Sequence, residues 1–186
     1  MSPSSWEQNA VYLQSGDPEA ENTPTLLEPG LLGSRFTVMN PPRTTGTAQS
    51  AQSTSKRYQL VKTDSTMTTG PYPGAAAYWS DKSTYLVTTV ATNLNAVAGV
   101  FRTVVTPGNY CCVQVTGRCM TKVIDASVGA CAVGDSVIGS ATTGKTDRVA
   151  AGTAPTNVPF GRVSNPLFKS AGEALVQVDL DVPETT

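Results

Sequence analysis

From Tyr58 onward the chain is a succession of short β-patterned runs closed by glycine, proline or asparagine, and this rhythm constrains the fold more than any other feature. Tyr58–Lys62 precedes the loop Gly70-Pro71-Tyr72-Pro73-Gly74, and Thr84–Ala91 is rich in β-branched residues. Ala98–Val105 leads into the turn Thr106-Pro107-Gly108-Asn109. Tyr110–Val115, Cys119–Ile124, Asp135–Ile138, Phe160–Val163 and Ala174–Leu180 follow. No comparable window carries the 3.6-residue period of an amphipathic helix. Strands at this spacing predict an all-β fold, a small barrel or a sandwich. Within it, Val113-Gln114-Val115 predicts two buried valines with Gln114 on a wet face.

Residues 1–57 have another texture. Prolines at 18, 24, 29, 41 and 42 forbid a long helix and favour extended backbone. Arg43–Arg57 reads as a low-complexity linker. The apolar residues come in small groups: Tyr12-Leu13, Leu26-Leu27, Leu31-Leu32, and Phe36 with its neighbours. Such a segment cannot order itself by its own burial. Two readings follow: an extended arm that docks on another surface, or a leader that is disordered or wraps its own domain. The expected organisation is therefore an arm and linker over 1–57 and a β domain over 58–186.

Chemistry is excluded more sharply than it is indicated. The chain has no histidine, which removes Ser-His-Asp and Cys-His triads, His-ligated metals and His general bases. With 13 basic and 14 acidic residues and no polybasic run, nothing suggests nucleic acid or a membrane surface as partner. Met1-Ser-Pro-Ser-Ser-Trp-Glu7 lacks a secretory signal, so synthesis in a cytosol is expected. Cys111, Cys112, Cys119 and Cys131 lack the paired spacing of a zinc site, and they are expected as reduced apolar residues in strands. Cys111 and Cys112, being adjacent, should face opposite sides of the sheet. No cofactor or metal is expected.

Two motifs invite specific chemistry. Gly139-Ser140-Ala141-Thr142-Thr143-Gly144-Lys145-Thr146 fits the P-loop pattern, in which backbone amides cradle phosphates, the lysine reaches the β/γ-phosphates and the threonine binds magnesium. That loop must open a helix. Here Asp147–Pro155 is broken by Gly152 and Pro155, so a polar hairpin loop with Gly144 at the turn is expected instead. Tyr72, Tyr78 and Trp79 could stack on a sugar, although Tyr78 and Trp79 would face opposite sides of a strand. More often such residues close a β core.

A resemblance emerges from the order of the turns. Asn95–Phe101, Thr106–Tyr110, Val113–Gly117, Val133–Ile138, Phe160–Val163 and Leu175–Leu180 resemble, in sequence pattern, the capsid decoration (cement) proteins of tailed bacteriophages over roughly residues 84–181. The resemblance implies a small β-barrel or sandwich without catalytic activity. It would sit on the outer surface of the virion, commonly as a trimer, and clamp neighbouring major capsid subunits. The arm of residues 1–57 lies outside the resemblance; from its composition, Tyr12, Leu13, Leu26, Leu27, Leu31, Leu32 and Phe36 are the expected capsid contacts. A head-fibre-type receptor or glycan-binding module is the alternative.

Overall fold

The structure, a computed structural model, describes residues 18–26, 29–38, 55–68, 70–124, 131–170 and 173–183. Among the described residues ten strands run in chain order: β1 (Arg35–Val38), β2 (Lys56–Thr63), β3 (Ala76–Asp81), β4 (Leu86–Thr88), β5 (Val97–Phe101), β6 (Tyr110–Val123), β7 (Ser136–Gly139), β8 (Thr146–Val149), β9 (Gly161–Ser170) and β10 (Glu173–Asp181). Among the described residues there is no α-helix, only a 3-10 turn at Pro29–Leu31. The all-β expectation is met.

Strands β2, β4, β3, β5 and β6 close into a five-stranded barrel through the β2–β6 ladder. A further circuit, β6–β10–β9–β7–β8, returns to β6 through the single pair Val123↔Thr146. Strand β6 serves both. Its first half pairs with β2 (Lys62↔Tyr110 to Arg57↔Thr116), and its second half pairs with β10 (Asp181↔Thr116 to Ala174↔Val123). The hand-over falls at Gly117, where φ is +87° and an added Cβ would lie 2.6 Å from the Ser55 carbonyl oxygen. Only glycine meets both demands. Tyr110–Val115 and Cys119–Ile124, two separate runs in the sequence, thus contribute to one strand that ends at Val123 and changes partner at Gly117.

The main core fills the interior with Val61, Tyr78, Val87, Phe101, Val113 and Phe160, all essentially inaccessible to solvent. A smaller cluster lies on the other face of β2 and β6. Tyr58, Leu60 and Cys112 are buried there beneath Leu26, Leu31, Phe36 and Val38. Phe36 stacks on Tyr58 at 5.9 Å between ring centroids. Cys111 belongs to the main core and Cys112 to the outer cluster, as their adjacency on a strand requires. Both β2 and the first half of β6 are consequently buried on two faces, which accounts for their consecutive buried residues, Tyr58–Val61 and Cys111–Val115, polar Gln59 and Gln114 included.

This outer cluster corrects one expectation. Val113 and Val115 are buried, but Gln114 is not wet; it is fully buried. It shares its face with Cys112, stands opposite Tyr58 in register, and donates from Nε2 to the carbonyls of Thr116 and Arg118. The arm, not solvent, lies over that face. A second correction concerns Thr84–Ala91: β4 spans only Leu86–Thr88, because residues 82–85 form a turn that ends on Tyr85 with φ +53°.

Candidate functional site

The arm divides into a part outside the described residues and a part that wraps its own domain. Tyr12, Leu13 and Leu27 lie outside the described residues. Leu26, Leu31 and Phe36 are half-buried against the domain's own Tyr58, Leu60 and Cys112, and Leu32 is half-buried in the turn that precedes β1. Strand β1 adds antiparallel to β2 from Arg35↔Gln59 to Val38↔Lys56, and Thr23 forms a two-way backbone bridge with Tyr110. Structure therefore continues across residue 57: β2 itself begins at Lys56.

A polar clasp fastens the start of this segment. The Glu19 carboxylate accepts a hydrogen bond from Lys56 Nζ at 2.6 Å and another from the Tyr58 hydroxyl. Arg102 Nε, buried and without a hydrogen-bond partner, stands 3.6 Å from the same oxygen, a charge contact rather than a hydrogen bond. Burial pushes the Glu19 pKa up. The bonds from Lys56 and Tyr58 and the positive charges of Arg102 and Lys56 outweigh it and hold Glu19 below the usual carboxylate range.

Where β1 ends along the edge of β2, β4 begins. Leu60 is bonded through both backbone groups to Gly33 and Ser34, whereas the Lys62 amide donates to the Tyr85 carbonyl. A cleft of about 300 Å³ opens at this seam, walled by Arg35, Gln59, Trp79, Lys82 and Tyr85. Trp79 and Tyr85 meet edge-to-face, with centroids 6.3 Å apart and planes at 67°. Arg35 Nε donates to Gln59 Oε1 at 3.3 Å, and Gln59 Nε2 donates to the Gly33 carbonyl at 3.2 Å. Gly33, at φ +87°, is obligatory: a Cβ there would enter the Tyr85 ring. Tyr85 in a left-handed conformation costs about 1–2 kcal/mol, which the seam contacts must offset.

The sequence-predicted aromatic trio does not assemble. Tyr78 is buried, and its hydroxyl donates towards the Lys145 carbonyl while accepting from the Ser140 amide. Burial pushes the Tyr78 pKa up. The Tyr72 hydroxyl donates to the Gly144 carbonyl, and Lys122 Nζ sits 4.9 Å over its ring. Only Trp79 reaches the cleft, where its partner is Tyr85, a residue the sequence placed inside a strand.

Tyr72 and Tyr78 instead brace the P-loop-like segment. Strands β7 and β8 pair antiparallel from Ser136↔Val149 to Gly139↔Thr146, so the segment is a hairpin loop. Gly144 occupies its turn at φ +67°. The amides that would cradle a phosphate are engaged: Ser140 by Tyr78, Thr142 by the Ser140 hydroxyl, Gly144 by the Thr89 carbonyl and Lys145 by the Thr142 carbonyl. The Thr146 hydroxyl is buried and donates to the Lys122 carbonyl. Asp135 has a similar internal employment. Its carboxylate accepts from the Ala132 and Ala151 amides and from Arg148, tying the ends of this hairpin together.

The four cysteines are buried, and none is part of a disulfide. Burial drives the Cys111 thiol pKa far above its ordinary value and that of Cys119 up to about 12. Neither is a thiolate nucleophile near neutral pH. Among the described residues no group of His, Cys, Asp or Glu has the arrangement of a metal site.

No known protein family and no curated protein matches the chain.

Proposed function

We propose that the protein is a non-enzymatic structural protein that binds the outer surface of a phage capsid and cements neighbouring major capsid subunits. The resemblance over residues 84–181 motivates this reading. The observation that carries it is the open flank of β1. Among the described residues β1 has one ladder partner, β2, so its far edge can accept an extended strand from a neighbour. Backbone pairing along an edge gives affinity without a charged interface, which suits a chain of net charge -1.

Leu26, Leu31 and Phe36 support the surface from beneath, since they hold β1 in place. Direct contact falls to the edge itself and to the arm before Pro18, with Tyr12 and Leu13. Three copies around a capsid axis would bring three such edges together.

The test is sedimentation of the full chain with undecorated heads at low and high salt. Saturable binding that changes little with salt supports the proposal, as does a trimeric mass by light scattering. A protein that stays in the supernatant at micromolar concentration, or that is released by moderate salt, sinks it.

A further inference from the structure

We propose that the arm, docked through residues 18–26 and 29–38, is an exchangeable strap: it also takes the β2–β6 face of a second copy of the chain when copies are crowded together. This does not depend on capsid binding. Strand β1 ends at Val38, whose register partner is Lys56 at the start of β2. Two neighbouring positions are thus joined by residues 39–55, 17 in number, where an antiparallel pair needs only about 2–5. Fully extended, that connection reaches about 55–60 Å, against a diameter of about 40 Å for a compact chain of this length. The arm can therefore leave its own domain and reach the same face of a neighbour without the barrel opening.

The bonds that fasten the arm reach residues beyond the connection. Glu19 meets Lys56, Tyr58 and Arg102, the Asn22 side chain accepts from the Thr106 amide and from Asn109, and Thr23 pairs with Tyr110. Strand β1 itself pairs with β2, and Leu26, Leu31, Phe36 and Val38 cover Tyr58, Leu60 and Cys112. A second copy offers the same set of partners, so docking on it costs no contact. What separates the two arrangements is chain entropy. Closing a loop of 17 residues instead of 2 lowers the arm's local concentration at its own domain by about 25-fold, to the order of a millimolar. Neighbours held at that concentration compete for the arm on equal terms, whereas in dilute solution each arm stays on its own domain. The exchanged pair is closed, since each copy gives one arm and receives one.

The experiment is a cross-linking test on full-length chains. Thr37 and Arg57 are register partners on β1 and β2, and the four native thiols are buried and do not compete. Thr37→Cys and Arg57→Cys chains, one of them carrying a mass tag, are mixed, equilibrated at about 1 mM or about 10 μM, and briefly oxidised. A disulfide between the two variants reports the arm of one copy on β2 of the other. Its yield on a non-reducing gel should be substantial at about 1 mM and at least about tenfold lower at about 10 μM. The double variant Thr37→Cys/Arg57→Cys should close within one chain at the lower concentration. Replacing residues 39–55 by a two-residue Asn-Gly turn should abolish the mixed product while the Thr23 and Gly33 amides stay protected from exchange. No mixed product at about 1 mM, with the double variant closing internally, overturns the proposal, as does a double variant that fails to close at all. So does a yield of mixed product that the shortened connection leaves unchanged.

Discussion

Glu19→Gln isolates what fastens the arm. The substitution keeps the side chain's shape and an acceptor oxygen but removes the charge that draws Lys56, Tyr58 and Arg102 to one point. A hydrogen bond to a charged group contributes roughly 1.5–3 kcal/mol when buried, and an exposed ion pair only about 0.2–1. The Glu19 side chain is 35% exposed, against 19% for Lys56, so screening discounts the upper figure. We expect a loss of about 1–2 kcal/mol, intermediate between those limits. The arm can open without the barrel unfolding, so the sensitive assay is native-state amide exchange. The Thr23 and Gly33 amides, bonded to the carbonyls of Tyr110 and Leu60, report arm docking; Val182, bonded to the Val115 carbonyl, reports the barrel. At pH 7 the first two should lose protection by about 5–30-fold while Val182 is unchanged.

The sign of the pH effect follows from the same carboxylate. Its pKa is lowered on folding, so its contribution is complete above the ordinary value of 4.5 and is lost as pH falls below that toward the depressed folded value. Native protein should loosen its arm in that acid window, and Glu19→Gln should not. If the variant keeps native protection at Thr23 and Gly33, the apolar contacts of Leu26, Leu31 and Phe36 suffice and the clasp argument is wrong.

Three further outcomes are expected. Gly117→Ala should cost about 1–3 kcal/mol from the forced left-handed conformation alone, lowering the melting temperature by about 2–10 °C; an unchanged calorimetric midpoint would show that β6 can bend elsewhere. Tyr78→Phe should cost about 1–3 kcal/mol in urea denaturation, because it strands the buried Ser140 amide that the hydroxyl accepts from. The thiols should react with an aromatic disulfide reagent only as the protein unfolds, and rapid labelling of Cys111 or Cys119 in the native state at pH 8 would contradict their burial and raised pKa values.

The sequence made the barrel legible because period-2 patterning and turn glycines act locally. Ser136–Gly139 and Thr146–Val149 pair as the Gly144 turn suggests, and Cys111 and Cys112 fall on opposite faces. The failures share a cause. Gln114 reads as a solvent-facing residue only if nothing covers the far side of β6, and what covers it comes from the other end of the chain. Arg35 and Tyr85 are 50 positions apart, so no spacing rule could place them in one cleft. Tyr85 also sits in a run whose β-branched neighbours argue for strand, and its left-handed φ is visible only in three dimensions.

The arm therefore has two physical roles that its composition could not separate. Its groups of apolar residues are too few to form a core alone, but enough to complete one when a β surface supplies Tyr58, Leu60 and Cys112. By laying β1 along β2 it covers a two-faced strand and creates a new edge. By setting Gly33 against the Tyr85 ring it walls the cleft. The proposed surface, the open edge of β1, exists only while residues 18–26 and 29–38 stay docked. A variant that releases the arm should therefore lose binding to undecorated heads while the barrel stays folded. If arm release leaves head binding intact, the β1 edge is not the contact surface.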